Sequence, residues 1–165
     1  SFLIEKEKLS VEIHHNGKSI LSSAGKTPAN RNVPDLPRVP ETPETKSEMS
    51  TVPLIKLAWG RSGDKGDKAN IGIIARKADY IPYIWQALDE TVVFERFAHF
   101  INTADSVSAV KRYYLPGSHA LNFLIDSVLG GGGAASLRND PQGKAFAQIL
   151  LDHPISIPTQ MAETL

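Results

Sequence analysis

The chain has 165 residues, 41% of them hydrophobic, enough to bury one packed core. Lys plus Arg (18) equals Asp plus Glu (18), so no long-range basic field exists to hold a polyphosphate backbone, and no nucleic acid is expected as a partner. Cysteine is absent, which excludes disulfide frameworks, Cys-based zinc sites and thiolate catalysis, and suits a reducing cytoplasm.

At the start, Ser1 to Ile4 is followed at once by Glu5 and Lys6, so no signal-peptide core forms, and no apolar run approaches the roughly 18 residues of a membrane span. A cytoplasmic protein with no membrane partner is the expectation. The lack of an initiator Met reads as the end of something longer. In Leu9 to Leu21, Asn16-Gly17 lies between short alternating runs and suits the positive φ values of a two-residue hairpin, with Ile13 opposite Ile20. An isolated two-stranded hairpin is marginal in water. Residues 1–26 are therefore read as the tail of an upstream domain. From Thr27 to Pro53, prolines at 28, 34, 37, 40 and 43 punctuate a polar stretch whose charges cancel, predicting a semi-stiff polyproline linker.

Nearly all apolar periodicity falls in residues 54–158, the expected domain, with 159–165 as a tail. Leu54 to Trp59 and the β-branched Asn70 to Ala75 predict two central strands separated by a glycine-rich loop. Pro82 opens a helix with Ile84, Trp85, Leu88 and Val92 on one face, continuing through Phe94, Phe97 and Ile101. Ser108 to Leu115 predicts a third strand ended by Pro116-Gly117. Ser118 is then read as the cap of a helix with Leu121, Leu124, Ile125, Val128 and Leu129 inward, stopped by Gly130. Asp140-Pro141 opens a last short helix, and Pro154 to Pro158 closes as an edge strand. The interleaving predicts an α+β sandwich with helices on one face of a mostly antiparallel sheet.

Three segments could carry chemistry. Trp59 to Asn70 sets Gly60, Gly63 and Gly66 among Arg61, Ser62, Asp64, Lys65, Asp67 and Lys68, so backbone amides and cations could cradle a phosphate or carboxylate, or the segment could be a solvated polar turn. It is not a P-loop, because no Ser or Thr follows a Gly-Lys pair and a strand comes next. In the second segment, a helix would place His119, Asn122 and Asp126 on one stripe, with His119 as a candidate acid or base oriented by the amide and carboxylate. In the third, Gly130 to Gly133 carry an entropic cost that calls for a reason. Close approach to a ligand or another subunit at Gly131 and Gly132 competes with plain slack, and Arg138 and Lys144 nearby suit an anion. His14 and His15 point to opposite faces of a strand, His99 reads as a packed core-edge residue and His153 abuts a proline, so no metal site is expected. Trp59, Trp85 and Phe94 read as core anchors, with no stacking stripe for single strands.

The segments LIKLAWGRSGDKGDKANIGIIAR and VKRYYLPGSHALNFLIDSVLGGGGAASLRNDPQGKAFAQILL resemble the small C-terminal domain of the acyclic terpene utilisation (AtuA) family, over about Val52 to Pro158. The resemblance implies a ferredoxin-like α+β fold behind a larger N-terminal domain of the same protein, joined through a variable linker. It also implies a setting in the breakdown of citronellol and geraniol through acyl-CoA intermediates, and supplies no catalytic assignment. Matched positions are Arg61, Ser62, Gly63, Asp64, Lys65, Gly66 and Asn70, then His119, Asn122, Arg138, Asp140, Gln142, Gly143 and Lys144. Two functions follow as expectations. One is a glycine-rich anion site for a small anionic ligand such as a CoA thioester. The other is a non-catalytic assembly domain that docks on the N-terminal domain and forms a homo-oligomer.

Overall fold

The computed structural model describes residues 5, 8–22, 35, 37–44, 46–101 and 107–165. The chain divides into two compact units, Ser1–Leu36 and Pro37–Leu165. In the first, β1 (Val11–His15) and β2 (Lys18–Ser22) pair antiparallel with Ile13 opposite Ile20, as the alternation around Asn16-Gly17 predicts. Both turn residues have positive φ, +49° and +72°, the requirement of a primed two-residue turn. Val11, Ile13, Ile20 and Leu21 are all exposed. Within the proline-rich stretch, residues 27–34, 36 and 45 lie outside the described residues, and with them part of the polyproline expectation.

In the second unit, β3 (Met49–Pro53) pairs antiparallel with β8 (Pro154–Pro158), so the last residues assigned to the linker belong to a two-stranded ladder. The tail forms a single turn, α5 (Thr159–Ala162), beside that ladder. Leu54–Leu57, expected as a strand, is instead a one-turn helix, α1, which turns both leucines into the core.

The main sheet contains β4 (Ala58–Lys65), β5 (Lys68–Ala75), β6 (Val110–Leu115) and β7 (Ala120–Ile125), in the order β4-β5-β7-β6 with every neighbour antiparallel. Two expectations are corrected here. The glycine-rich segment is not a loop between strands but most of β4, with a turn only at Gly66-Asp67. Residues 120–125 are a strand and not a helix: their amides and carbonyls find partners on both β5 and β6, and Leu121, Phe123 and Ile125 alternate inward with period two. The helical stripe seen in the sequence shares Leu121 and Ile125 with that inward row, whereas its Leu124 faces the other way, so apolar spacing at those two shared positions could not separate the two conformations.

Helices α2 (Ile81–Ala87), α3 (Glu90–Phe97) and α4 (Phe146–Leu151) complete the unit. Asp89 caps α3 by accepting from the Val92 amide at 2.8 Å. The continuous helix expected from Pro82 to Ile101 is broken at Leu88, where Arg112 donates to the carbonyls of Trp85 (2.6 Å) and Leu88 (2.8 Å). Its guanidinium also lies 3.6 Å from the Trp85 ring centroid. Helix α4 packs on β4 and β5, and α3 on β6, covering the face formed by Ala58, Ile71, Ile73, Leu121, Phe123, Ile125 and Val110. The architecture is the expected α+β one, with the helices on one face of an antiparallel sheet.

Candidate functional site

Among the described residues no helix packs on the opposite face of the sheet. Strand register orders its side chains into four rows. Lys65 and Lys68 stand at one end. Next come Gly63, Asn70, Leu124 and Lys111, then Arg61, Gly72, Asn122 and Tyr113. Trp59, Ile74, Ala120 and Leu115 close the other end. No acidic residue occupies any of these positions, although the chain is neutral as a whole. Trp59, Ile74, Tyr113 and Leu115 are large and half exposed. Trp59, expected as a core anchor, thus lies in solvent, with the Arg76 guanidinium 4.5 Å from its ring centroid. The reason is register: once Ala58 and Gly60 face α4, Trp59 must face away.

The Lys144 ammonium reaches the same face. It lies 3.2 Å from the place a Cβ would take on Gly63, at the outer strand β4. Asn70 donates through Nδ2 to Asn122 Oδ1 at 2.8 Å across the middle rows. A cavity of about 220 Å³ sits on this face, lined by Trp59, Gly60, Arg61, Asn70, Gly72 and Ile74. Arg61, Gly63, Asn70, Asn122 and Lys144, taken from distant parts of the sequence, therefore come together.

Other expected site residues are used within the fold. Ser62 is buried; its hydroxyl donates to the Lys144 carbonyl (3.0 Å) and accepts the Ala147 amide (2.9 Å), pinning the start of α4 to β4. The two glycine-rich segments do meet. The Gly131 amide donates to the Asp67 carboxylate at 2.7 Å, and the amides of Val128 and Leu129 donate to the Asp67 carbonyl. A Cβ on Gly132 would collide with the Gly66 carbonyl oxygen, so the close approach is to the chain's own backbone. The amide donors offered to an external anion at Gly131 are thus taken by a carboxylate of the protein. Likewise Asp140 accepts the Lys144 and Ala145 amides at 2.9 and 2.8 Å. Arg138 donates to the carbonyls of Val128 and Phe100, fastening the glycine loop to the end of α3. Asp64 is half buried, and among the described residues Lys65 donates to its neighbour's carbonyl at 3.3 Å.

His119 does not share a stripe with Asn122 and Asp126. It sits in the turn between β6 and β7 with φ +49°, exposed, while its carbonyl accepts the Ala75 amide. Asp126 pairs with Lys68 at 2.8 Å. A larger cavity, about 550 Å³, lies beside Phe100, Leu137, Phe146 and Ile149, with His99 exposed at its wall. Its charged lining residues, Arg138 and Asp140, are already engaged, so it offers apolar volume without free ionic groups. Among the described residues two titrations are shifted. Burial, opposed by Glu90 and Asp89, lowers Arg112, and partial burial followed by the Arg96 guanidinium lowers His153. Neither group is on the open face. Among the described residues no group of three His, Cys, Asp or Glu could hold a metal ion, and no helix is long and apolar enough to cross a membrane.

Sequence reasoning missed Gly72, Ile74, Lys111, Tyr113 and Leu115. The alternation of 111, 113 and 115 within a predicted strand was the available signal. It became meaningful only beside a β7 that was itself a strand. The family model described as AtuA ferredoxin-like domain matches residues 52–156. Nothing among curated proteins or solved structures matches.

Proposed function

The chain belongs to the AtuA ferredoxin-like domain family, and from that premise we propose that it serves acyclic terpene utilisation as a binding module whose open sheet face holds an anionic, partly apolar ligand of the acyl-CoA class. The observation that carries this is the order of the rows. Cations occupy one end, amides and a guanidinium the middle, and Trp59, Ile74 and Leu115 the other end. Arg61, Lys111 and Lys144 have no acidic partner among the described residues, so their charge is available to phosphate or carboxylate oxygens. The half-exposed apolar row accounts for the uncharged part of the ligand.

Calorimetric titration with a branched acyl-CoA tests the reading. Binding should weaken about tenfold or more in Arg61→Ala. Absence of heat at millimolar ligand removes it.

A second reading, an assembly surface that docks a larger N-terminal domain, draws on the same four exposed apolar side chains. A second copy fits less well, since two such cationic faces repel. Under this reading no ligand heat appears, and sedimentation with the larger domain added shows association that Trp59→Ala with Tyr113→Ala abolishes.

A further inference from the structure

We propose that Gly72 floors a slot for the base of an adenine nucleotide, so that a ligand on the open face is held by its nucleotide end and not by its acyl chain. The inference rests on the reading above for the nature of the face, while the slot itself is argued from three independent features.

The first is the glycine. Three glycines lie within strands of the main sheet. A Cβ on Gly60 would stand 3.1 Å from the packed Leu151 side chain, an internal reason for glycine, and one on Gly63, at the outer strand, would stand 3.2 Å from the movable Lys144 Nζ. At Gly72 the nearest atom is the Arg61 carbonyl oxygen at 3.8 Å, ordinary van der Waals contact, and its φ is not in the left-handed region. Neither packing nor backbone conformation requires glycine there. Glycine in the interior of a central strand forfeits packing and chain entropy, and with no bulge or internal contact at Gly72 the remaining common cause is close approach by a ligand.

The second is the shape. About 220 Å³ above Gly72 and beside the Trp59 indole and Ile74 is less than the usual 300–1,000 Å³ of a whole small-ligand site. A single planar ring system lying on the backbone fits such a volume. The third is hydrogen bonding. The Asn70–Asn122 bond leaves one amide NH2 and one amide carbonyl without a partner among the described residues. Turning both amides over leaves the same complement. An aliphatic chain would cover these half-buried groups without satisfying either, at the full cost of their desolvation. The adenine edge presents a donor beside an acceptor, N6–H and N7, the pair that asparagine reads in other settings. Arg61 and Lys144 then stand where the phosphates leave the base.

The nucleotide could be that of a CoA thioester or a free adenine nucleotide, and ligands that separate base from acyl chain decide between them. The full chain is titrated calorimetrically with ADP, CoA, a branched acyl-CoA and the corresponding acyl-pantetheine, which lacks the nucleotide. Acyl-CoA and CoA should bind with dissociation constants within about threefold of each other, and acyl-pantetheine should not bind at millimolar concentration. CoA binding far tighter than ADP assigns the CoA thioester; equal affinity assigns the free nucleotide, and both keep the slot. Gly72→Val should weaken every nucleotide ligand about tenfold or more with an unchanged or raised melting temperature. If Gly72→Val does not fold, Gly72→Ala, whose methyl meets only the 3.8 Å contact, and Asn122→Ala provide the same readout. Acyl-pantetheine binding as well as acyl-CoA, or Gly72 variants that are folded and bind normally, overturn the slot while leaving the acyl-CoA reading intact. ADP binding that Gly72→Val abolishes, without any binding of acyl-CoA, keeps the slot and overturns that reading. No binding of any of the four overturns both.

Discussion

Gly132 carries a positive φ of +68° and lies against the Gly66 carbonyl, so backbone and space both demand glycine. Gly132→Ala should lower stability by roughly 3 kcal/mol, from the left-handed conformation and the forced shift of the Gly66–Asp67 turn, measured by denaturant unfolding. His119 is the converse case, a non-glycine residue at φ +49°. His119→Gly should leave stability unchanged or raise it by up to about 1 kcal/mol, whereas His119→Val should lower it by roughly the same amount or more. His153 gives a pH dependence. Burial and Arg96 hold it below the ordinary histidine value, so the unfolded chain takes up a proton at higher pH than the folded chain does. The stability contributed by neutral His153 is present above about pH 6.5 and is lost as pH falls from there through the folded value. Melting temperature should therefore drop between roughly pH 7 and pH 5, less steeply in His153→Gln.

Contacts between elements depend on a few polar side chains that satisfy main-chain groups. The Ser62 hydroxyl joins β4 to the start of α4 through one donated and one accepted bond, in a setting where its neighbours are apolar. Ser62→Ala leaves the Ala147 amide and Lys144 carbonyl short of a partner and should cost about 2 kcal/mol, with ligand affinity retained. Arg112 does the equivalent for the break between α2 and α3, holding the Trp85 and Leu88 carbonyls while pairing with Glu90 at 3.4 Å. Its Nε is buried without a partner, which places the value of this side chain in its two terminal nitrogens and its stacking on Trp85. The Asp67–Gly131 bond locks the β4–β5 turn to the loop after β7. The run of glycines beside that lock, which the sequence alone left between ligand contact and slack, is explained by positive φ at all four residues and by the approach of Gly132 to the Gly66 carbonyl.

Across the whole molecule, charge is balanced in number and unbalanced in position. Eighteen cations and eighteen anions cancel, yet the strand positions of the open face hold Arg61, Lys65, Lys68 and Lys111 and no carboxylate, with only Lys68 paired from outside by Asp126. Neutral composition therefore excludes a long-range field but not a local one. Binding of an anionic ligand should weaken several-fold between about 0.05 and 0.5 M salt, because exposed cations are screened within a Debye length of a few ångströms at the higher value. A calorimetric affinity indifferent to salt would remove the cations from the interaction.

The amino-acid order alone determined the α+β class, the hairpin at Asn16-Gly17 with its register, the strands around 70–75, 110–115 and 154–158, and the motif positions that carry the family resemblance. Each rests on local turn chemistry, side-chain periodicity or a short pattern, which neighbours in sequence suffice to define. Only the tertiary structure decided that 120–125 is a strand, that the first glycine motif lies in β4, that Trp59 faces solvent and that Gly72 lacks an internal reason. Those outcomes depend on which backbones pair across the sheet and which face α4 covers. A segment whose apolar spacing fits both helix and strand takes the conformation whose hydrogen bonds its distant neighbours complete.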